Sequence, residues 1–106
     1  MDQIAVKAVI FKDEGGLWVA SCVDYDIVAT AKTPEAVMKS LIRTVASNVC
    51  VNMELGKRGL ENIPPAPERI RSLYEAGKLS IRVEEPLPSN NFVRLDDARL
   101  VEAYAA

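Results

Sequence analysis

The sequence predicts an α+β fold in which an antiparallel sheet lies under one long helix. Residues 4–11, 17–23 and 27–31 are rich in apolar and β-branched side chains and are joined by short polar links, which is typical of strands. Residues 33–55 carry their large apolar side chains within one half of a helical circumference. Residues 78–84 alternate apolar and polar side chains, which favours a further strand with one solvated face.

The order of these segments predicts how they pack. Three consecutive strands with short connections favour an antiparallel meander, and the helix that follows is expected to cross one face of it. Both faces of the first strand are largely apolar, so the opposite face of the sheet should be partly covered as well. A large apolar side chain contributes about 1.5–3 kcal/mol on burial, which the long helix can gain only against a sheet.

The long helix has clear boundaries in the sequence. Thr33 supplies a hydroxyl cap, and Pro34 follows it at a position where the missing N–H costs nothing. Gly56 marks the end because glycine readily adopts the left-handed conformation that closes a helix.

The second half of the chain predicts shorter elements. Residues 67–76 favour a short second helix, and residues 78–84 form the fourth strand, which Pro86 and Pro88 end. Asp96 can cap a short C-terminal helix with the apolar stripe of Leu100, Val101 and Tyr104. We therefore expect one domain over residues 1–88 and a tail over residues 89–106.

Composition excludes several classes of function. The chain has 106 residues and a formal net charge of −2, which argues against a general nucleic-acid surface. It contains no histidine, so Ser-His-Asp, Cys-His and HExxH machinery is absent. We expect no enzyme, no metal and no cofactor. No apolar run approaches the roughly 20 residues that span a bilayer, and the N-terminus does not look like a signal peptide, so a cytoplasmic location is expected.

Two cysteines and three carboxylates are candidate reactive groups. Cys22 and Cys50 are expected to be small, reduced core residues. Asp24 and Asp26 form a D-x-D pair that could hold a metal ion together with Glu35, as in a metal-dependent nuclease. The alternative is that the aspartates shape a bend and that Glu35 complements the helix dipole.

Several residues are candidates for contacts with another chain. Trp18 and Tyr25 are either anchors for a partner or parts of the core. Asn48 and Asn52 lie within the apolar arc of the long helix, where the amides either specify an oligomer contact or mark a solvated edge of the arc. The stripe of Leu100, Val101 and Tyr104 could dock on its own domain or on a second subunit, and a homodimer or higher oligomer could also form through a sheet edge.

The run VKAVIFKDEGGLWVASCVDYDIVATAKTPEAV, within residues 6–46, resembles the HicB-like antitoxins. Members show a strand that ends in an acidic-glycine turn, an aromatic-rich strand, a bend, and a strand that leads into a threonine, an acidic residue and a helix. The positions that carry the resemblance are Ala8, Ile10, 13–16, 18–20, Asp24, Thr30, Thr33, Glu35 and Ala36.

The resemblance implies a partial RNase H-like fold of three antiparallel strands, a helix across them and a further strand. It implies a non-catalytic protein that binds and neutralises a small HicA-type RNase toxin. The contact surface expected from it comprises Trp18, Asp24, Tyr25, Asp26 and Ile27. The tail lacks the length and the basic charge of a DNA-reading module, so no direct DNA binding is expected. The alternatives are a stand-alone HicB-like homo-oligomer and, less favoured, the nuclease.

Overall fold

A computed structural model describes residues 3–76, 80–83 and 86–101 of the chain and confirms the α+β class. The elements are β1 (Ile4–Lys12), β2 (Trp18–Cys22), β3 (Val28–Ala31), α1 (Pro34–Glu54), α2 (Glu68–Ala76), β4 (Ser80–Arg82) and β5 (Val93–Val101). None of the helices in these ranges combines the length and the apolarity needed to cross a membrane.

The described strands form one mixed sheet in the order β3-β2-β1-β5-β4. β2 pairs antiparallel with both β1 and β3, and β4 pairs antiparallel with β5. β5 instead runs parallel to β1, with one register shift between Val6 and Lys7 where Asp96 has no partner on β1. The strand nearest the C-terminus therefore lies inside the sheet, between β1 and β4.

The predicted C-terminal helix is wrong, because residues 93–101 form β5. Val93 and Leu95 are buried and alternate with exposed Arg94 and Asp96, as in a strand. The extra residue at the register shift then breaks the alternation, and this break made the second half of the segment look helical. Tyr104, the third member of the expected stripe, lies outside the described residues.

The long helix begins and ends where the sequence predicts. Thr33 is the N-cap, and its Oγ1 accepts the backbone N–H of Ala36 at 3.1 Å. Gly56 has a φ of +76° just past the C-cap at Leu55, in the left-handed region that glycine adopts at little cost.

The sheet is covered on both faces. On one face α1 packs mainly on β3, β2 and β5, and Leu41 and Val45 are fully buried in a core that also contains Ile10 of β1. The opposite face carries a second cluster, in which α2 takes part. Its buried members are Val9, Phe11, Val19, Val23, Ala66, Ile70 and Val101. The prediction of an apolar sheet covered on one face and partly covered on the other is confirmed.

Candidate interaction surface

The acidic bend, residues 24–26, connects β2 to β3 and is fixed by backbone hydrogen bonds. Ile27 donates its N–H to the carbonyl of Tyr25 at 2.8 Å, and Cys22 donates to the carbonyl of Ile27 at 2.9 Å. The N–H of Asp26 donates to the carbonyl of Pro64 at 2.7 Å, which ties the bend to the segment before α2. The bend is therefore held on both sides, and its two carboxylates project from a fixed backbone.

The carboxylates of the acidic bend are exposed and only weakly neutralised. Asp24 Oδ1 lies 3.9 Å from Lys7 Nζ, and both side chains are more than 40% exposed. Such an exposed pair contributes about 0–1 kcal/mol, and salt screens it. Asp26 has no ion-pair partner within the described part of the chain. The bend thus presents negative charge to the solvent.

The other predicted contact residues are less available. Trp18 and Tyr25 are half-buried and pack against the core under α1, and the ring of Trp18 has Lys12 Nζ 6.0 Å from its centroid. Ile27 is only 6% exposed and belongs to that core. Ile27 is therefore a buried core side chain, whereas Trp18 and Tyr25 are partly exposed.

Asn52 was expected at an oligomer contact, but its side chain bonds within the chain. Its side chain is 4% exposed, and Nδ2 donates to Gly59 O and to Asn62 Oδ1, both at 2.8 Å. Its carbonyl also accepts the N–H of Lys57 at 2.8 Å. Asn52 thus fastens the loop after α1, whereas Asn48 Nδ2 donates only to the carbonyl of Thr44, at 2.9 Å.

The two remaining oligomer candidates lie on opposite faces of β5. Leu100 packs against the core under α1, and Val101 is buried in the cluster on the other face. They do not form one stripe, so this part of the predicted contact surface is absent.

The cysteines occupy different environments. Cys22 is buried, and desolvation raises the pKa of its thiol, although backbone hydrogen bonds at Tyr25 and Asp24 partly oppose the effect. Cys50 is exposed on α1, which corrects the expectation that both lie in the core.

The structure does not assemble the proposed metal ligands. Across residues 3–76, 80–83 and 86–101, no three side chains of His, Cys, Asp or Glu come together as a possible metal site. Asp24, Asp26 and Glu35 are each exposed. In the described residues they do not form the convergent carboxylate cluster that two-metal chemistry requires.

A polar cluster around Tyr74 was not found by sequence reasoning. Tyr74 Oη donates to Asp97 Oδ2 at 2.6 Å, and Arg99 Nη1 donates to the carbonyl of Tyr74 at 3.1 Å. The Arg99 guanidinium carbon lies 4.6 Å from the centroid of the Tyr74 ring, and Lys7 Nζ lies 5.3 Å from it. Burial, together with the hydrogen bond to Asp97, raises the pKa of Tyr74 to about 12. The cluster attaches α2 to β5, and it could have been found only if residues 93–101 had been identified as a strand.

The described residues form an open groove on the sheet and another beside α1. One, of about 280 Å³, lies between β2–β3 and the start of α2, with Phe11 and Val28 in its wall and Asp26 and Arg69 among its lining residues. Ser21 also lines it, and its Oγ is buried without a hydrogen-bond partner among the described residues. The other, of about 510 Å³, runs between α1 and residues 88–90.

In comparisons with known proteins, no family model, curated protein or solved structure matches this chain.

Proposed function

We propose that this chain is a non-catalytic binding protein, resembling HicB-type antitoxins, that binds and neutralises a small HicA-type RNase toxin. The observation that carries the proposal is the acidic bend. It is fixed to the segment before α2 by the bond from Asp26 to Pro64, and it exposes two carboxylates beside the sheet edge. Under this proposal the partner contacts are Asp24, Asp26 and the exposed parts of Trp18 and Tyr25.

Electrostatics supports this choice of partner. A ribonuclease must bind a polyanion, so its working surface is basic and complementary to an acidic bend. Asp26 has no ion-pair partner among the described residues, and Asp24 has only a screened one. Complementary charge chiefly accelerates encounter and fixes orientation. The half-buried ring of Tyr25 beside the carboxylates offers the apolar contact that affinity requires.

The order of elements also supports the resemblance. The partial RNase H-like arrangement that we propose has three antiparallel strands, a helix across them and a further strand. β1, β2 and β3 followed by α1 fit it, and β5 takes the place of the further strand. The departure is α2, which covers the opposite face of the sheet. A cytoplasmic location and self-association belong to the same proposal, and direct DNA binding does not.

The test is co-expression with a small basic toxin-like protein encoded beside the gene. We expect the wild-type chain to restore growth and to co-purify with that protein. Replacement of both carboxylates, Asp24→Lys with Asp26→Lys, should weaken binding by about tenfold or more, because each lost charge contact at an interface contributes about 1 kcal/mol or more.

The matched control is Glu14→Lys with Glu61→Lys. It changes the net charge by the same amount at two exposed positions outside the acidic bend. Loss of binding in both double variants would show a general charge effect, and unchanged binding in the bend variant would place the contact elsewhere. A wild-type chain that neither restores growth nor co-purifies would refute the proposed function.

A further inference from the structure

β3 is an edge strand with unpaired backbone groups. The bond from Cys22 N–H to Ile27 O makes these two residues a hydrogen-bonded pair at the start of the β2–β3 ladder. Because bonded and non-bonded pairs alternate along an antiparallel ladder, Ala29 and Ala31 bond inward to β2. Val28 and Thr30 therefore direct their N–H and C=O groups away from the sheet, and no described residue bonds to them.

β3 is short, with four residues, but it lacks the other protective features of edge strands. The strand contains no proline, charged residue or register shift, and the side chain of Val28 is 50% exposed. An exposed apolar edge of this kind is a template for another strand. The residues that flank β3, Asp26 before it and Lys32 after it, indicate which strand pairs with this edge.

We propose that a second copy of this chain pairs with β3, antiparallel, across a two-fold axis at Ala29. In this register Val28 lies opposite the partner's Thr30, and Thr30 lies opposite the partner's Val28. Each of these pairs can exchange two backbone hydrogen bonds, so every outward group of both residues is satisfied. The side chains at the contact are β-branched, which favours cross-strand packing.

Backbone pairing selects this register over its neighbours, and charge complementarity supports it. It places Asp26 opposite the partner's Lys32 at both ends of the contact. Both side chains are exposed, and neither has an ion-pair partner in the described part of the chain. A register centred on Val28 also sets Lys32 opposite an aspartate, the partner's Asp24, but it leaves Thr30 opposite the partner's Asp26, whose N–H already bonds to Pro64 O. A register centred on Thr30 leaves Val28 opposite the partner's Lys32, beyond the strand. An isologous contact with one axis also closes as a dimer.

This contact deepens the proposed function, because it assigns the self-association included there to β3, but it does not depend on toxin binding. The dimer would be measured on the purified chain without any toxin, so the two proposals can fail separately. In the dimer the sheets of both subunits become continuous through β3.

The test is a charge-swap cycle followed by sedimentation equilibrium at low salt. Asp26→Lys places a lysine opposite the partner's Lys32, and Lys32→Glu places a glutamate opposite the partner's Asp26. Because each single change sets like charges against each other at both ends, we expect the dimer dissociation constant to rise by about tenfold or more. The double variant restores opposite charges and should return to within about threefold of wild type.

The controls are Asp24→Lys and Lys39→Glu, which change exposed charges outside the contact and should leave the dissociation constant unchanged. Thermal melts should show that all variants stay folded. A wild-type chain that sediments as a monomer would refute the proposal. So would a dimer that the single changes do not weaken, or a double variant that does not recover.

Discussion

The role of Asn52 can be tested with one substitution. Asn52→Ala removes the two donors that the amide directs to Gly59 O and to Asn62 Oδ1, both at 2.8 Å. If the amide fastens the loop after α1, the variant loses stability without any change in association. If Asn52 instead forms an oligomer contact, as its place in the apolar arc suggests, the variant should lose association.

The magnitude follows from the environment of the two acceptors. An intramolecular hydrogen bond contributes about 0.5–1.5 kcal/mol net, and an acceptor left buried without a partner costs more. Asn62 is exposed and can bond to water after the change, whereas Gly59 is half-buried and its Cα lies close to the side chain of Ile4. We therefore expect Asn52→Ala to lower the free energy of unfolding by about 2 kcal/mol. In a domain of this size that corresponds to a fall in Tm of roughly 8–12 °C.

The assay is urea denaturation followed by circular dichroism. The midpoint should fall while the slope of the unfolding free energy against urea stays constant, because the surface exposed on unfolding is nearly unchanged. The matched control is Asn48→Ala on the same helix, since Asn48 Nδ2 donates only to the Thr44 carbonyl of its own helix. We expect the control to stay within about 0.5 kcal/mol of wild type.

Two results would contradict the reasoning. One is a loss below about 0.5 kcal/mol for Asn52→Ala, which would show that the two bonds add nothing net. The other is a wild-type melting temperature that depends on protein concentration and an Asn52→Ala melting temperature that does not. Only an intersubunit contact produces such a concentration dependence.

Three further predictions follow from buried groups. Tyr74→Phe should lower the free energy of unfolding by about 1–2 kcal/mol at neutral pH. Folding raises the pKa of Tyr74 to about 12, so the stability difference between wild type and Tyr74→Phe should be fully present below the ordinary pKa of 10.0 and should shrink as pH rises toward 12. Urea titrations of both proteins measure it, and a difference that stays constant with pH would contradict the prediction. A thiol reagent should modify the exposed Cys50 in the native state. Cys22 is buried and its pKa is raised, so it should react only after unfolding. Equal rates of modification at the two cysteines in the native state would contradict the structure. Ser21→Ala should leave the free energy of unfolding unchanged or raise it by up to about 1 kcal/mol, because Ser21 Oγ is buried without a hydrogen-bond partner among the described residues. A clear loss of stability in urea denaturation would show that the hydroxyl does form a hydrogen bond.

The sequence predicts the elements whose signals are local and periodic. The apolar arc of α1 with Thr33 before it and Gly56 after it determines the bounds of that helix without tertiary information. The exposure of Asp24 and Asp26 also follows from their place in a polar bend. Asn52 could not be interpreted correctly, because its partners at Gly59 and Asn62 lie in a loop whose path no local pattern fixes.

The error at β5 has a wider consequence for experiments on this chain. Its residues alternate only up to the register shift at Asp96, so the strand is recognisable mainly through its parallel pairing with β1, far away in sequence. That pairing places β5 between β1 and β4, and Val93 and Ala98 are fully buried there. A chain cut after residue 88 would therefore lose an interior strand together with the Asp97 and Arg99 contacts that hold α2. Truncation cannot test self-association here, because it would unfold the sheet whose edge is in question. Substitutions at the exposed residues Asp26 and Lys32 leave that sheet intact and are the sharper experiment.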